Sequence, residues 1–142
     1  MFKELWTGGI LLAGSVMDIR RKALPVSYLI FCAIGSVVIL ILQQADLREL
    51  CIGLVPGLVL LLCGKLTSCV GAADAVLMML LGGMYGIGGG GEQLMYALLL
   101  AAIAAIFLIM MHRAGRKSTL PFVPFLLGGF LLYMLRLSLS GA

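Results

Sequence analysis

Polar residues interrupt this chain only in short, widely spaced clusters. Between them lie six apolar runs, near residues 4–19, 26–43, 50–64, 74–91, 92–112 and 120–139. A helix crossing a bilayer needs roughly 20 mostly apolar residues, fewer when flanking side chains snorkel to the interface. The pattern therefore predicts an all-α integral membrane protein, a bundle of about six transmembrane helices. Composition agrees: 63% of the 142 residues are hydrophobic and 11% charged, with mean hydropathy +1.19, whereas a soluble domain carries about 25% charge. The connections are too short for a further folded unit, so residues 1–142 read as one transmembrane domain. Any chemistry must sit within the bundle or at its edges.

The charges orient the bundle. Arg20, Arg21 and Lys22 follow the first run, Lys65 the third, and Arg113, Arg116 and Lys117 the fifth, all in alternate loops, while Asp46, Glu49 and Glu92 fall on the opposite side. Basic loops stay cytoplasmic, so both termini are expected on the non-cytoplasmic side. This topology accounts for the net charge of +4 without a nucleic-acid partner. The first run ends in Met17-Asp18-Ile19-Arg20-Arg21-Lys22 rather than in small residues at a cleavage site, and reads as a retained span instead of a secretory signal.

Other residues shape the bundle. Gly53 and Gly57, then Gly82, Gly86 and Gly90, recur every four positions, a spacing that puts small residues on one helix face and lets backbones approach closely in lipid. Gly88 to Gly91 have no following P-loop lysine and hydroxyl, so a phosphate cradle is not indicated. Pro25, Pro121 and Pro124 are expected at span starts and Pro56 at a kink. Cys32, Cys51, Cys63 and Cys69 form no C-x-x-C pair and read as small apolar residues rather than a zinc or disulfide framework. His112 is the sole histidine, which excludes a His-rich metal site and a Ser-His-Asp triad. Ser15, Thr67 and Ser68 either line a cavity or bond helix backbone. No metal or cofactor is expected.

Two carboxylates fall on the cytoplasmic half: Asp18, ending the first run, and Asp74, starting the fourth. The first run passes inward and the fourth outward, so both lie at one depth and can meet in one cavity. Ionisable groups at such depth are paired, wet or functional. Facing aspartates are one solution to peptide hydrolysis, because like charges a few ångströms apart do not both ionise readily and one carboxyl keeps a proton. The charged member then takes a proton from attacking water and the protonated one hydrogen-bonds the scissile carbonyl. The alternatives are structural, with Asp18 paired to Arg21 or Lys22 and Asp74 capping its helix, or transport of protons or cations.

The local sequence resembles the type IV prepilin peptidases and their archaeal preflagellin relatives, membrane aspartyl proteases of the GxGD type. "DIRRKALP", Asp18 to Pro25, matches an aspartate that ends a span, a basic segment and a proline. "GKLTSCVGAADAVL" supplies Gly64, Lys65, Gly71 and Asp74, and "PFVPF" at residues 121–125 matches a Pro-Phe-x-Pro-Phe segment. Three departures stand out. The GxGD motif here reads Gly71-Ala72-Ala73-Asp74, Val76 replaces a lysine, and Val26 replaces an asparagine.

The resemblance implies an aspartic-type endopeptidase of the bacterial inner membrane with Asp18 and Asp74 as its catalytic pair. The implied substrate is a type IV prepilin or pilin-like precursor, cut on the cytoplasmic side between a short basic leader and an apolar helix. Larger relatives carry an added N-terminal cytoplasmic region and also methylate the new N-terminus. Here the chain opens directly on its first span, so a short peptidase-only form without methylation is expected. The departures from the motifs leave a second possibility, an inactive homologue acting in pilus or secretion assembly.

Overall fold

A computed structural model describes residues 1–21, 23–67, 71–111 and 121–141. Among these, all regular structure is α-helical: α1 (Phe2–Arg21), α2 (Val26–Leu42), α3 (Leu47–Gly53), α4 (Val55–Thr67), α5 (Ala72–Met110) and α6 (Val123–Ser140). The α3–α4 unit (Leu47–Thr67), α5 and α6 are long and apolar enough to cross a membrane, and α2 is a shorter apolar helix. α1 has the length of a span but carries Lys3, Glu4 and Asp18 along with its terminal arginines. Large apolar side chains point outward all around the bundle, among them Phe31 at 60%, Ile103 at 57% and Phe107 at 61% exposure. In water such a belt would drive association; in lipid it faces its own solvent. The protein is an all-α membrane bundle.

The third expected span is two short helices meeting at Leu54, the C-cap of α3. Pro56 stands at the second position of α4, where its missing N–H breaks the ladder of the preceding turn. The irregularity expected at this proline is a one-residue interruption at Leu54, which itself keeps helical dihedrals, φ −73° and ψ −18°.

The fourth and fifth expected spans form one element that folds back on itself. Their boundary lies at Gly86, several residues earlier than the 91/92 division expected from the sequence. Gly86 has φ 75° and ψ 177° inside α5, a conformation open essentially to glycine alone. A Cβ added at Gly90 would lie 2.7 Å from the Gly82 Cα, whereas eight residues of straight helix would separate the two by ~12 Å. Gly86 thus does not belong to a packing face with Gly82 and Gly90; it makes the reversal that presses those two together. Gly88 to Gly91 continue the second half as helix.

The first half of α5 is the hub. Its Leu77, Met78 and Leu81 are each at most 1% exposed and join Leu11 of α1, Leu60 of α4, and Val123, Leu126 and Phe130 of α6 in one core. α5 packs against α3, α4 and α6, and α1 lies along α6. Gly53 and Gly57 let α3 and α4 approach α5 backbone to backbone, since Cβ atoms there would strike Gly82 and Met79. The N-terminal turn of α1 clamps the reversal. The Lys3 ammonium donates to the Met84 carbonyl at 3.2 Å, one of the acceptors a helix end leaves unpaired, and lies 4.6 Å from the Tyr85 ring centroid. The Tyr85 hydroxyl donates to Thr7 Oγ1 at 3.2 Å. At this point the chain reverses, leaving the C-terminal end of α1 beside the N-terminal ends of α5 and α6.

Candidate active site

That opposite end of the bundle holds both aspartates. Asp18 sits on the last turn of α1 and is buried, 8% exposed. Its Oδ2 accepts the backbone N–H of Val123, the first residue of α6, at 3.3 Å. Arg20 and Arg21 next to it are exposed, and neither forms an ion pair with it among the described residues. Pairing with Arg21, one of the structural alternatives for this carboxylate, is therefore not what holds it; Lys22 lies outside the described residues.

Asp74 is half-buried in the first turn of α5. Gly71 is the N-cap in extended conformation, φ −70° and ψ 147°, and its backbone N–H donates to the Asp74 carboxylate. This is the backward-reaching half of a capping box, so the capping role expected of Asp74 as a structural alternative is present. A Cβ on Gly71 would lie 3.3 Å from Asp74 Oδ2. Glycine here serves close approach to the carboxylate, because its φ is one that any residue adopts.

The cap does not isolate Asp74. Asp18 and Asp74 are near enough for their charges to interact, although they stand on helices that are not neighbours in sequence. The arrangement brings two carboxyls to the same end of the bundle. One is held by a backbone donor from α6 and the other by its own helix cap. Carboxyls that feel each other's charge do not ionise independently.

The surroundings decide several open points. Ser15 donates to the Leu11 carbonyl and Thr67 to the Cys63 carbonyl, both at 2.6 Å, so these hydroxyls bond helix backbone. Ala72 and Ala73 have ordinary helical backbone, as positive φ among the described residues occurs only at Gln44 and Gly86. Alanine therefore fits beside Asp74 without strain. Cys63 is exposed and Cys32 buried, with no disulfide among the described residues. Ser68, Cys69, His112, Arg113, Arg116 and Lys117 lie outside the described residues.

Residues 5–111 match the family model of the type IV leader peptidase family. The chain belongs to that family. Both aspartates fall within the matched residues, as does every helix from α2 to α5 and all but the first turn of α1. A type IV leader peptidase is a membrane-bound protease, which makes this chain a peptidase at the level of its family and gives it a protein substrate. No curated protein and no solved structure matches the chain to a significant degree.

The Val123 N–H could not be found from the residue pattern, because a backbone donor leaves no mark in side-chain chemistry. Its only trace was the Pro-Phe-x-Pro-Phe segment, whose resemblance carried no role for the residue between the prolines.

Proposed function

We propose that the protein is a membrane-embedded aspartyl endopeptidase that removes the basic leader of type IV prepilin-like precursors at the cytoplasmic face of a bacterial inner membrane. The observation that supports this reading is that Asp18 and Asp74 lie at the same end of the bundle, near enough for their charges to interact, in a chain of the type IV leader peptidase family. The basic ends of α1 and α4 lie at that same end, through Arg20, Arg21 and Lys65, which the positive-inside rule assigns to the cytoplasm.

In the proposed reaction one carboxylate takes a proton from water as the water oxygen attacks the scissile carbonyl carbon. The protonated partner gives its proton to the carbonyl oxygen, leaving a neutral tetrahedral gem-diol. Collapse breaks the C–N bond. The carboxyl protonated in the first step delivers that proton to the leaving nitrogen, and the other carboxylate takes one hydroxyl proton, restoring the starting charges. Each proton transfer contributes about 10²–10⁴-fold.

The test co-expresses the chain with a precursor consisting of a short basic leader, a glycine and an apolar helix. Wild type is expected to cut it. Asp18→Asn and Asp74→Asn are each expected to abolish the cut while inserting normally. Cleavage retained in either variant would remove that residue from the catalytic pair, and an uncut precursor with wild type would favour an inactive homologue or a transporter.

A further inference from the structure

We propose that the Pro121–Phe125 segment is a positioning device for Asp18, acting through one backbone N–H, that of Val123. The proposal rests on the reading of Asp18 as a catalytic carboxyl and adds the residue that aims it. The family match ends at residue 111, before this segment begins.

The first turn of a helix leaves its leading N–H groups without intrahelical acceptors. In α6 the N-cap is Phe122, followed by Val123 and Pro124. Pro124 has no N–H to offer. The N–H groups of Phe125 and Leu126 both turn back onto the Phe122 carbonyl, at 3.0 and 3.1 Å. Of the first three residues of α6, Val123, Pro124 and Phe125, only Val123 directs an N–H to another helix, and it reaches Asp18 Oδ2 at 3.3 Å. Val123 is fully buried and Asp18 nearly so, in surroundings where a carboxylate without a donor is costly.

The approach has a steric basis on α1. Gly14 lies four residues before Asp18, on the same helix face. A Cβ there would come within 3.3 Å of both Val123 Cγ1 and the Tyr28 hydroxyl. Without that Cβ, α6 lies close enough to α1 for its first N–H to meet the carboxylate one turn further on. Rotation about the terminal bond of an aspartate is otherwise loosely restrained. A donor fixed in a helix backbone cannot swing away as a side chain can, so it selects which carboxyl oxygen is held.

The test replaces residue 123 in the full chain by α-hydroxyvaline through nonsense suppression, exchanging the N–H for an ester oxygen with the side chain unchanged. With the basic-leader precursor as probe, kcat is expected to fall about tenfold to a hundredfold, the effect of losing a hydrogen bond to a charged group. KM is expected to stay within about twofold, since the N–H does not touch substrate. A control ester made in the same way at Leu131, an exposed position further along α6, is expected to leave kcat within about threefold of wild type. A second measurement needs no turnover: the ester at residue 123 also weakens the Phe122 carbonyl as the acceptor of Phe125 and Leu126, so it should lower the melting temperature of both the parent and the Asp18→Ala chain, and by clearly more in the parent. Equal kcat losses for the two esters, or equal melting shifts in the two backgrounds, would overturn the proposal. If wild type leaves the precursor uncut, the proposed function fails, and the melting comparison still decides whether Val123 holds Asp18.

Discussion

Gly53 and Gly82 meet backbone to backbone, each placed so that a Cβ on one would fall onto the carbonyl oxygen of the other. Gly90 closes on Gly82 from another direction, so three chain segments converge on one residue without a side chain. Lipid offers little drive to push helices together, and dispersion between closely approaching backbones supplies much of what holds them. Alanine at position 53 or 82 forces the segments apart and is expected to cost about 1–3 kcal/mol, read as a lower melting temperature in detergent. Unchanged melting for both variants would show that the segments do not approach so closely.

Gly86 differs from its neighbours in kind. Its φ of 75° and ψ of 177° are unfavourable for any residue with a Cβ, so Gly86→Ala is expected to lose about 1–3 kcal/mol. Gly88 and Gly91 have open space where a Cβ would stand and no positive φ. Alanine at either is expected to be neutral, or to gain up to about 1 kcal/mol from helix propensity. Thermal unfolding of the three variants side by side checks the location of the reversal.

Lys3 caps that reversal. Lys3→Met keeps the apolar stem but removes the donor to the Met84 carbonyl and the cation over Tyr85. The expected loss is about 1–2 kcal/mol of stability, with Lys3→Arg recovering part of it in the same melting assay.

Gln93 is fully buried in the second half of α5, and neither atom of its side-chain amide has a hydrogen-bond partner among the described residues. Desolvating an amide without recompense is costly, so Gln93→Met, similar in length and without the polar atoms, is expected to raise stability by about 1–3 kcal/mol. A fall in melting temperature would mean that the amide has a partner in the membrane-embedded protein.

Ala73 stands in ordinary helix one residue before Asp74. Restoring glycine there with Ala73→Gly is expected to preserve or raise cleavage of the precursor, with a stability loss of no more than about 1 kcal/mol. A clear drop in cleavage would show that the site is adapted to the methyl group.

The sequence by itself determined the membrane class, the helical content and the two aspartates at corresponding depth. These follow from one-dimensional rules: a long apolar run has few options in lipid other than helix, and alternate crossings return to the same side. It also marked Gly53 and Gly57 as close-packing positions, because four-residue spacing defines a helix face; the same spacing put Gly82, Gly86 and Gly90 on one face, whereas Gly82 and Gly90 meet only because the chain reverses between them. Only the tertiary structure decided that Gly86 turns the chain while its neighbours stay helical, since a backbone dihedral is not encoded in glycine spacing. The same holds for the hydroxyls of Ser15 and Thr67, for the Lys3 cap and for the Val123 N–H on Asp18. Each is a choice among partners far apart in sequence or among rotamers, and it is made only when helices dock and bring specific donors within about 3 Å of specific acceptors.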